Sequence, residues 1–224
     1  SGSSGPGQAL WLVENGSSVD LLEVFSRTEH LSAACAESGL LVGSPIDKRT
    51  GMDLRTVAGQ ASAWDQVVKQ NPKCVFMTPA TGAWTSSTRG QEGHRVHQQR
   101  KKDTVLLRFC AQLAAYQASR GGFFIIMHPA ASAAWRSSPM INLSRVKDVY
   151  WACVDMCSHG LRCGGDGRLG WNALAVMHNF PAGILDLMMQ RCPHGKKDHG
   201  AHIKHPLRYG EGITSIFAKP RLAA

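Results

Sequence analysis

The side chains best suited to bind a metal ion lie in the C-terminal third of the chain. Residues 192–210, CPHGKKDHGAHIKHPLRYG, show no regular hydrophobic periodicity but contain one cysteine and four histidines. Structural zinc sites take four cysteine or histidine ligands. We therefore predict a zinc site, with His194 and Cys163 as reserve ligands. The principal candidate ligands are Cys157, Cys192, His199, His202 and His205.

The spacing of these residues departs from common zinc-finger templates. A solvated, histidine-rich basic loop is the alternative interpretation. Zinc is favoured because the segment has few apolar side chains with which to order itself, and metal binding would supply folding free energy. The sequence leaves open which four residues bind the ion.

Positive charge is the second chemical feature. The chain has 25 lysines and arginines against 16 aspartates and glutamates, which gives a formal net charge of +9. Residues 94–102, HRVHQQRKK, place basic side chains along two to three turns of a predicted helix. We expect nucleic acid as a partner, with a merely solvated charged face as the alternative. The predicted contact residues are Arg95, Arg100, Lys101, Lys102, Lys196 and Lys197.

The overall composition indicates a globular protein with one substantial core, since 43% of its 224 residues are hydrophobic. No apolar run approaches the length of a membrane span, so no membrane partner is expected. The seven cysteines lie partly in apolar runs, which favours reduced thiols and an intracellular location, cytoplasmic or nuclear. Residues 1–7, SGSSGPG, are typical of a remnant of an expression vector.

Hydrophobic runs and helical periodicity alternate along the chain. Helices are predicted over 28–40, 56–71, 89–120 and 181–192, the last with Pro181 in its first turn. Strands are predicted over 19–25, 40–47, 73–79, 123–129, 148–156 and 173–179. Uniformly apolar strands separated by helices imply a parallel sheet covered on both faces, the doubly wound α/β class. We expect a core over 8–156 and a C-terminal segment, 157–224, within the same globular unit.

Ligands of doubly wound sheets bind beyond the carboxyl ends of the strands. The motifs at those ends are LEVFSRTEHLSAACAESGL (22–40), Asp47, FMTPA (76–80) and FIIMHP (124–129). In this order they resemble class I S-adenosylmethionine-dependent methyltransferases, specifically DNA cytosine-5 methyltransferases and related domains of retroelement-type polyproteins. The resemblance spans most of the chain and implies a Rossmann-like methyltransferase sheet. It places cofactor contacts at Phe25, Ser26, Asp47 and Thr78.

The departures from that family pattern concern its chemistry. Arg27 and Glu29 replace glycines that let the backbone approach the cofactor closely. Ala80 stands where the family has its nucleophilic cysteine, and Met127 stands where a glutamate hydrogen-bonds the flipped base. The family also carries a cysteine followed by a cysteine and closely spaced histidines, which implies a closed structural zinc site.

We therefore expect a catalytically degenerate methyltransferase-like domain without catalytic residues, which binds nucleic acid or serves as a scaffold, with zinc and without S-adenosylmethionine. One alternative is an active S-adenosylmethionine-dependent methyltransferase acting on nucleic acid. Another is a structural module that binds a protein partner. A new acid/base pair between His128 or His30 and Asp47 or Glu29 is a further alternative.

The indole rings that follow the third and fourth predicted strands leave two interpretations open. Trp84 and Trp135 are predicted at the same end of the sheet as the other candidate residues. They are expected either to stack on a base or to plug a vacated cofactor pocket. Plugging is favoured because an empty cavity would be costly.

Overall fold

The computed structural model describes residues 18–26, 29–85, 93–162, 169–170, 172–186, 188–194 and 199. Its strands are β1 (Leu21–Val24), β2 (Cys74–Met77), β3 (Phe123–Pro129), β4 (Tyr150–Asp155) and β5 (Ala173–His178). Its α-helices are α1 (His30–Glu37), α2 (Val57–Gln70), α3 (His94–Ser119) and α4 (Ser138–Leu143). Short 3-10 turns occupy Lys48–Thr50, Gly82–Trp84, Ala133–Arg136 and Met156–His159.

The strands within these residues form one sheet in the order β1-β2-β3-β5-β4. β1, β2 and β3 are parallel, whereas β5 runs antiparallel to both β3 and β4. The prediction of an all-parallel sheet is therefore wrong. Apolar side chains on both faces of a central strand carry no information about its direction. The sheet is therefore mixed, and the predicted α/β class is confirmed.

Helices and apolar segments cover the two faces of the sheet, as the sequence predicted. Phe124 and Ile126 of β3 face the core formed with α2, α3 and α4. Ile125 and Met127 alternate with them and face a second core that includes Leu31 of α1. This alternation follows from the two-residue repeat of a strand.

Two predicted elements take a different form. Residues 40–47 make only single bridges beside β1, from Val42 to Leu21 and from Ile46 to Val24. Pro45 lacks a backbone N–H, which limits regular pairing there. The helix predicted over 181–192 is wrong, because its described residues form turns and Gly183 has φ 88°. A left-handed residue cannot continue a right-handed helix.

The long helix α3 is tied to the loop before α2 by a charged pair. Arg55 donates from Nη2 to Oδ1 of Asp103 at 2.9 Å, and the Asp103 side chain is only 4% exposed. Gln99 also donates to that oxygen, at 3.0 Å. The pair holds α3 beside the loop that precedes α2. Asp103 is the first buried residue of α3.

Replacing Arg55 with alanine is expected to lower the free energy of unfolding by about 1–3 kcal/mol, because Asp103 would keep a buried carboxylate without its charged partner. Urea denaturation measures this change. The control is Lys69→Ala on the exposed side of α2, expected to change stability by less than about 0.5 kcal/mol. Equal effects of the two substitutions would contradict the prediction.

Candidate functional site

The carboxyl ends of β1 and β2 bring together three of the predicted cofactor-contact residues. Phe25 follows β1 in a left-handed conformation, with φ 66°. Its carbonyl lies 3.5 Å from the donating Oγ1 of Thr78, which follows β2. Ser26 is buried, and its Oγ accepts the backbone N–H of Glu29 at 3.1 Å. Phe25 and Thr78 are thus neighbours that bond to each other, whereas Ser26 bonds to Glu29.

Asp47, the fourth predicted contact, has a structural partner. Its carboxylate accepts the Arg49 N–H at 2.9 Å, and the Thr50 hydroxyl accepts the Asp47 N–H at 3.1 Å. These reciprocal bonds form a capping box at the start of the 3-10 turn Lys48–Thr50. Asp47 therefore orders this loop.

Glu29 keeps the backbone geometry of a glycine. Its φ is 56°, in the left-handed region that glycine adopts without steric cost. It is also the residue that directly precedes helix α1. Arg27, the other replacement of a family glycine, lies outside the described residues.

Glu23, inside β1, was missed by the sequence reasoning. Its side chain accepts the Ser32 hydroxyl at 2.7 Å and the Ser32 backbone N–H at 3.3 Å, in the first turn of α1. Burial raises the pKa of Glu23, and the hydrogen bonds from Ser32 and Ser26 oppose that shift. A second acidic residue, after Asp20, within the apolar run VDLLEVF was the available signal.

The positions matched to family catalytic residues are chemically inert. Ala80 is exposed and carries only a methyl group. Met127 is 1% exposed and packs in the apolar core on the α1 side of the sheet. Neither side chain can act as a nucleophile or exchange a proton.

His128 is enclosed next to the predicted nucleophile position. It is 1% exposed, and neither ring nitrogen makes a well-aligned hydrogen bond within the described part of the chain. Burial lowers the pKa of His128 to about 4, and the Ala80 backbone offsets part of that shift. Across residues 29–85 and 93–162, His128 and His30 form no pair with Asp47 or Glu29. The structure therefore does not assemble the acid/base alternative.

The two tryptophans at this end of the sheet contribute to the interior. Trp84 is 6% exposed within the core on the α3 side. Trp135 packs against the same core, donates from Nε1 to the Pro129 carbonyl at 3.0 Å and meets the His128 ring edge-on. Trp84 is thus buried in the core on the α3 side, and Trp135 is partly buried against it.

A groove lined by arginines lies between α3 and α4. Arg100, Thr104 and Arg108 share one face of α3 through four-residue spacing. Arg136 lines the groove from the turn before α4, and the volume is about 810 Å³. None of the residues that line it is acidic. Arg108 and Arg136 are exposed, and no described carboxylate lies within ion-pair distance of either.

The remaining predicted nucleic-acid contacts divide between two regions. Arg95, Lys101 and Lys102 are exposed on the first half of α3. Arg100, beside them, donates from Nε to the Ala83 carbonyl at 3.0 Å and lies 5.9 Å from the Trp84 ring centre. Lys196 and Lys197 lie outside the described residues.

The cysteine and histidine side chains of the C-terminal segment form a cluster. The ligand atoms of Cys157, Cys192, His194 and His199 all lie within 4.8 Å of one another, so the group could hold a metal ion. His194, a reserve candidate in the sequence, is thus brought in. The other predicted ligands, His202 and His205, lie outside the described residues, as does Cys163.

Among the comparisons with known proteins, the comparison of structures gives matches. No model of a known protein family matches the chain, and no curated protein matches it. The chain is similar to the crystal structure of the S. pombe Dnmt2 methyltransferase, with TM-score 0.46 and 11% identity over 81% of this chain. It spans 57% of the length of that protein's chain. No helix in the described ranges is long and apolar enough to cross a membrane.

The enclosure of His128 predicts a loss of stability in acid. An unfolded chain protonates this histidine near pH 6.5, whereas the folded protein keeps it neutral down to about pH 4. Its contribution to stability is complete above pH 6.5 and falls by about 3 kcal/mol as the pH drops to 4. We expect His128→Leu to remove that part of the pH dependence.

Urea unfolding at a series of pH values measures this dependence. The matched control is His30→Leu on the exposed start of α1, which should retain the acid-side slope of the wild type. Parallel pH curves for the wild type and His128→Leu would show that His128 is not the group responsible.

Proposed function

We propose that this chain is a methyltransferase-like domain that binds nucleic acid and does not transfer methyl groups to cytosine. The observation that carries the proposal is the groove between α3 and α4, which has three arginines and no carboxylate in its lining. Guanidinium groups bind phosphates with directed hydrogen bonds and keep their charge at all physiological pH values. Such a surface favours a polyanion.

Length favours a nucleic acid over a small anion. The rise of an α-helix is about 1.5 Å per residue, so Lys101 and Arg108, which share a face of α3 through seven-residue spacing, are separated by about 10 Å along the helix. One strand of nucleic acid carries a phosphate about every 3.4 Å, so this distance corresponds to about three nucleotides. The exposed first half of α3 thus extends the positive surface beyond the groove.

The fixed position of Arg100 supports a preformed binding surface. Its Nε–H is held by the Ala83 carbonyl and its guanidinium lies over the Trp84 ring. Arginine has five N–H donors, so four remain for a ligand. Little side-chain entropy is then lost when a phosphate binds.

The chemistry of the crevice supports the second part of the proposal. Cytosine C5 methylation requires a nucleophile that adds to the base, and Ala80 has none. The polar groups of Ser26 and Asp47 bond to neighbouring backbone rather than standing open to a cofactor. The sequence resemblance to DNA methyltransferases thus supports nucleic acid as the binding partner. It does not carry over the methylation reaction.

The first test is binding to fluorescent single-stranded and duplex oligonucleotides across a salt series. Arg108→Ala/Arg136→Ala is expected to weaken binding and to lower the slope of log affinity against log salt by about 1.4 for single strands and 1.8 for duplex. The charge-matched control is Lys48→Ala/Lys69→Ala, distant from the groove lining. Unchanged binding in the groove variant, or wild-type binding that ignores salt, would favour a protein scaffold instead.

The second test addresses the cofactor. Isothermal titration of the wild type with S-adenosylmethionine is expected to show no binding at the micromolar level, which corresponds to about 8 kcal/mol. Glu29→Gly restores the family glycine where φ is already positive, so the variant should fold and retain its stability. Clear micromolar affinity of the wild type would revive the enzyme alternative. Affinity gained only in Glu29→Gly would identify the Glu29 side chain as the obstruction.

A further inference from the structure

Four potential metal ligands converge from three separate parts of the chain. Cys157 lies in the turn Met156–His159 that follows β4, and it is 1% exposed. Cys192 and His194 belong to a segment that runs past the end of β4, and His199 forms a parallel bridge with Leu169. Side chains separated by up to 42 positions in sequence therefore meet within 4.8 Å (199 − 157 = 42).

We propose that Cys157, Cys192, His194 and His199 bind one structural zinc ion through two sulfur and two nitrogen atoms. A tetrahedral site with Zn–S of about 2.3 Å and Zn–N of about 2.1 Å has ligand–ligand separations of about 3.4–3.8 Å. The Cys192 Sγ lies 3.4 Å from Nδ1 of His194 and 3.3 Å from Nε2 of His199. These two separations are close to those of such a site, and all four ligand atoms lie within 4.8 Å of one another.

Asp155 fixes the position of the ligand Cys192 through hydrogen bonds. Its Oδ2 accepts the backbone N–H of Cys192 at 2.9 Å and Nε–H of Arg191 at 2.9 Å. Its backbone N–H donates to the Gln190 carbonyl at 3.0 Å. These bonds fix the Cys192 backbone beside Cys157, and outer partners of this kind tune metal affinity.

The position of the cluster indicates a structural role. Four protein ligands complete the tetrahedron and leave no open coordination position for a substrate. The cluster lies beyond β4, whereas the cofactor crevice lies beyond β1 at the opposite edge of the sheet. Four strand spacings of about 4.8 Å separate these edges by about 19 Å. The ion would join the turn after β4, the 188–194 segment and the bridge at Leu169.

The experiment uses the full chain, purified without chelator. Mass spectrometry of the metal content is expected to give about one zinc per chain in the wild type and its loss in Cys192→Ser and His194→Asn. Cys153→Ser, on β4 and outside the cluster, is the control and should retain the ion. Asp155→Asn should weaken zinc affinity about 10–100-fold, and exposed Asp148→Asn should not change it.

Cobalt substitution of the wild type is the second measurement, and it does not depend on how the variants fold. Tetrahedral visible bands together with thiolate-to-cobalt charge transfer are expected. Lack of the charge-transfer band would overturn the proposal. A Cys157–Cys192 disulfide, a folded metal-free wild type, or zinc retained in both Cys192→Ser and His194→Asn would also overturn it.

Discussion

The pairing of β5 between β3 and β4 is the interaction on which the rest of the structure depends. Because β5 is antiparallel to both neighbours, β3 and β4 run in the same direction. Their carboxyl ends therefore lie at the same end of the strands, with Pro129 opposite Leu174 and Asp155 opposite Ala173. This arrangement brings the turn that contains Cys157 to the same end of the strands as the crevice, while the positions of β4 and β1 at opposite edges of the sheet keep the two apart.

Helix α3 connects the core to the charged surface. Its buried residues begin at Asp103, so the second half of this 26-residue helix is anchored on the sheet while the first half is mostly exposed. The Arg55–Asp103 pair lies at the boundary between the halves. Packing of the apolar second half thus determines where the arginines of the groove are held, and stability and surface geometry are linked through one helix.

Sequence reasoning recovered the parts of the molecule that depend on local patterning. The five strands and helices α1 to α3 occupy predicted segments, and Phe25 and Thr78 meet at the strand ends as predicted. Strand direction was not recoverable, since β5 is apolar on both faces whichever way it runs. The turn at Gly183 was not recoverable either, because the sequence around this left-handed residue has a helical pattern. The groove was not recoverable from the sequence either, because Arg136 reaches the same groove as Arg108 only through the packing of α4 on α3.

At the start of α1, polar groups that could meet an anionic ligand are bonded within the protein. Free N–H groups at a helix N-terminus attract anionic ligand groups in many nucleotide-binding folds. Here the Ser32 N–H is bonded to Glu23, whose own acidic side chain is buried beneath the loop. A ligand carboxylate would have to displace Glu23 from the Ser32 N–H. The Ser26 hydroxyl is bonded to Glu29, whose left-handed backbone costs about 1–2 kcal/mol for a residue other than glycine. The loop therefore has a left-handed backbone conformation at Glu29 that a side chain of the same loop stabilises.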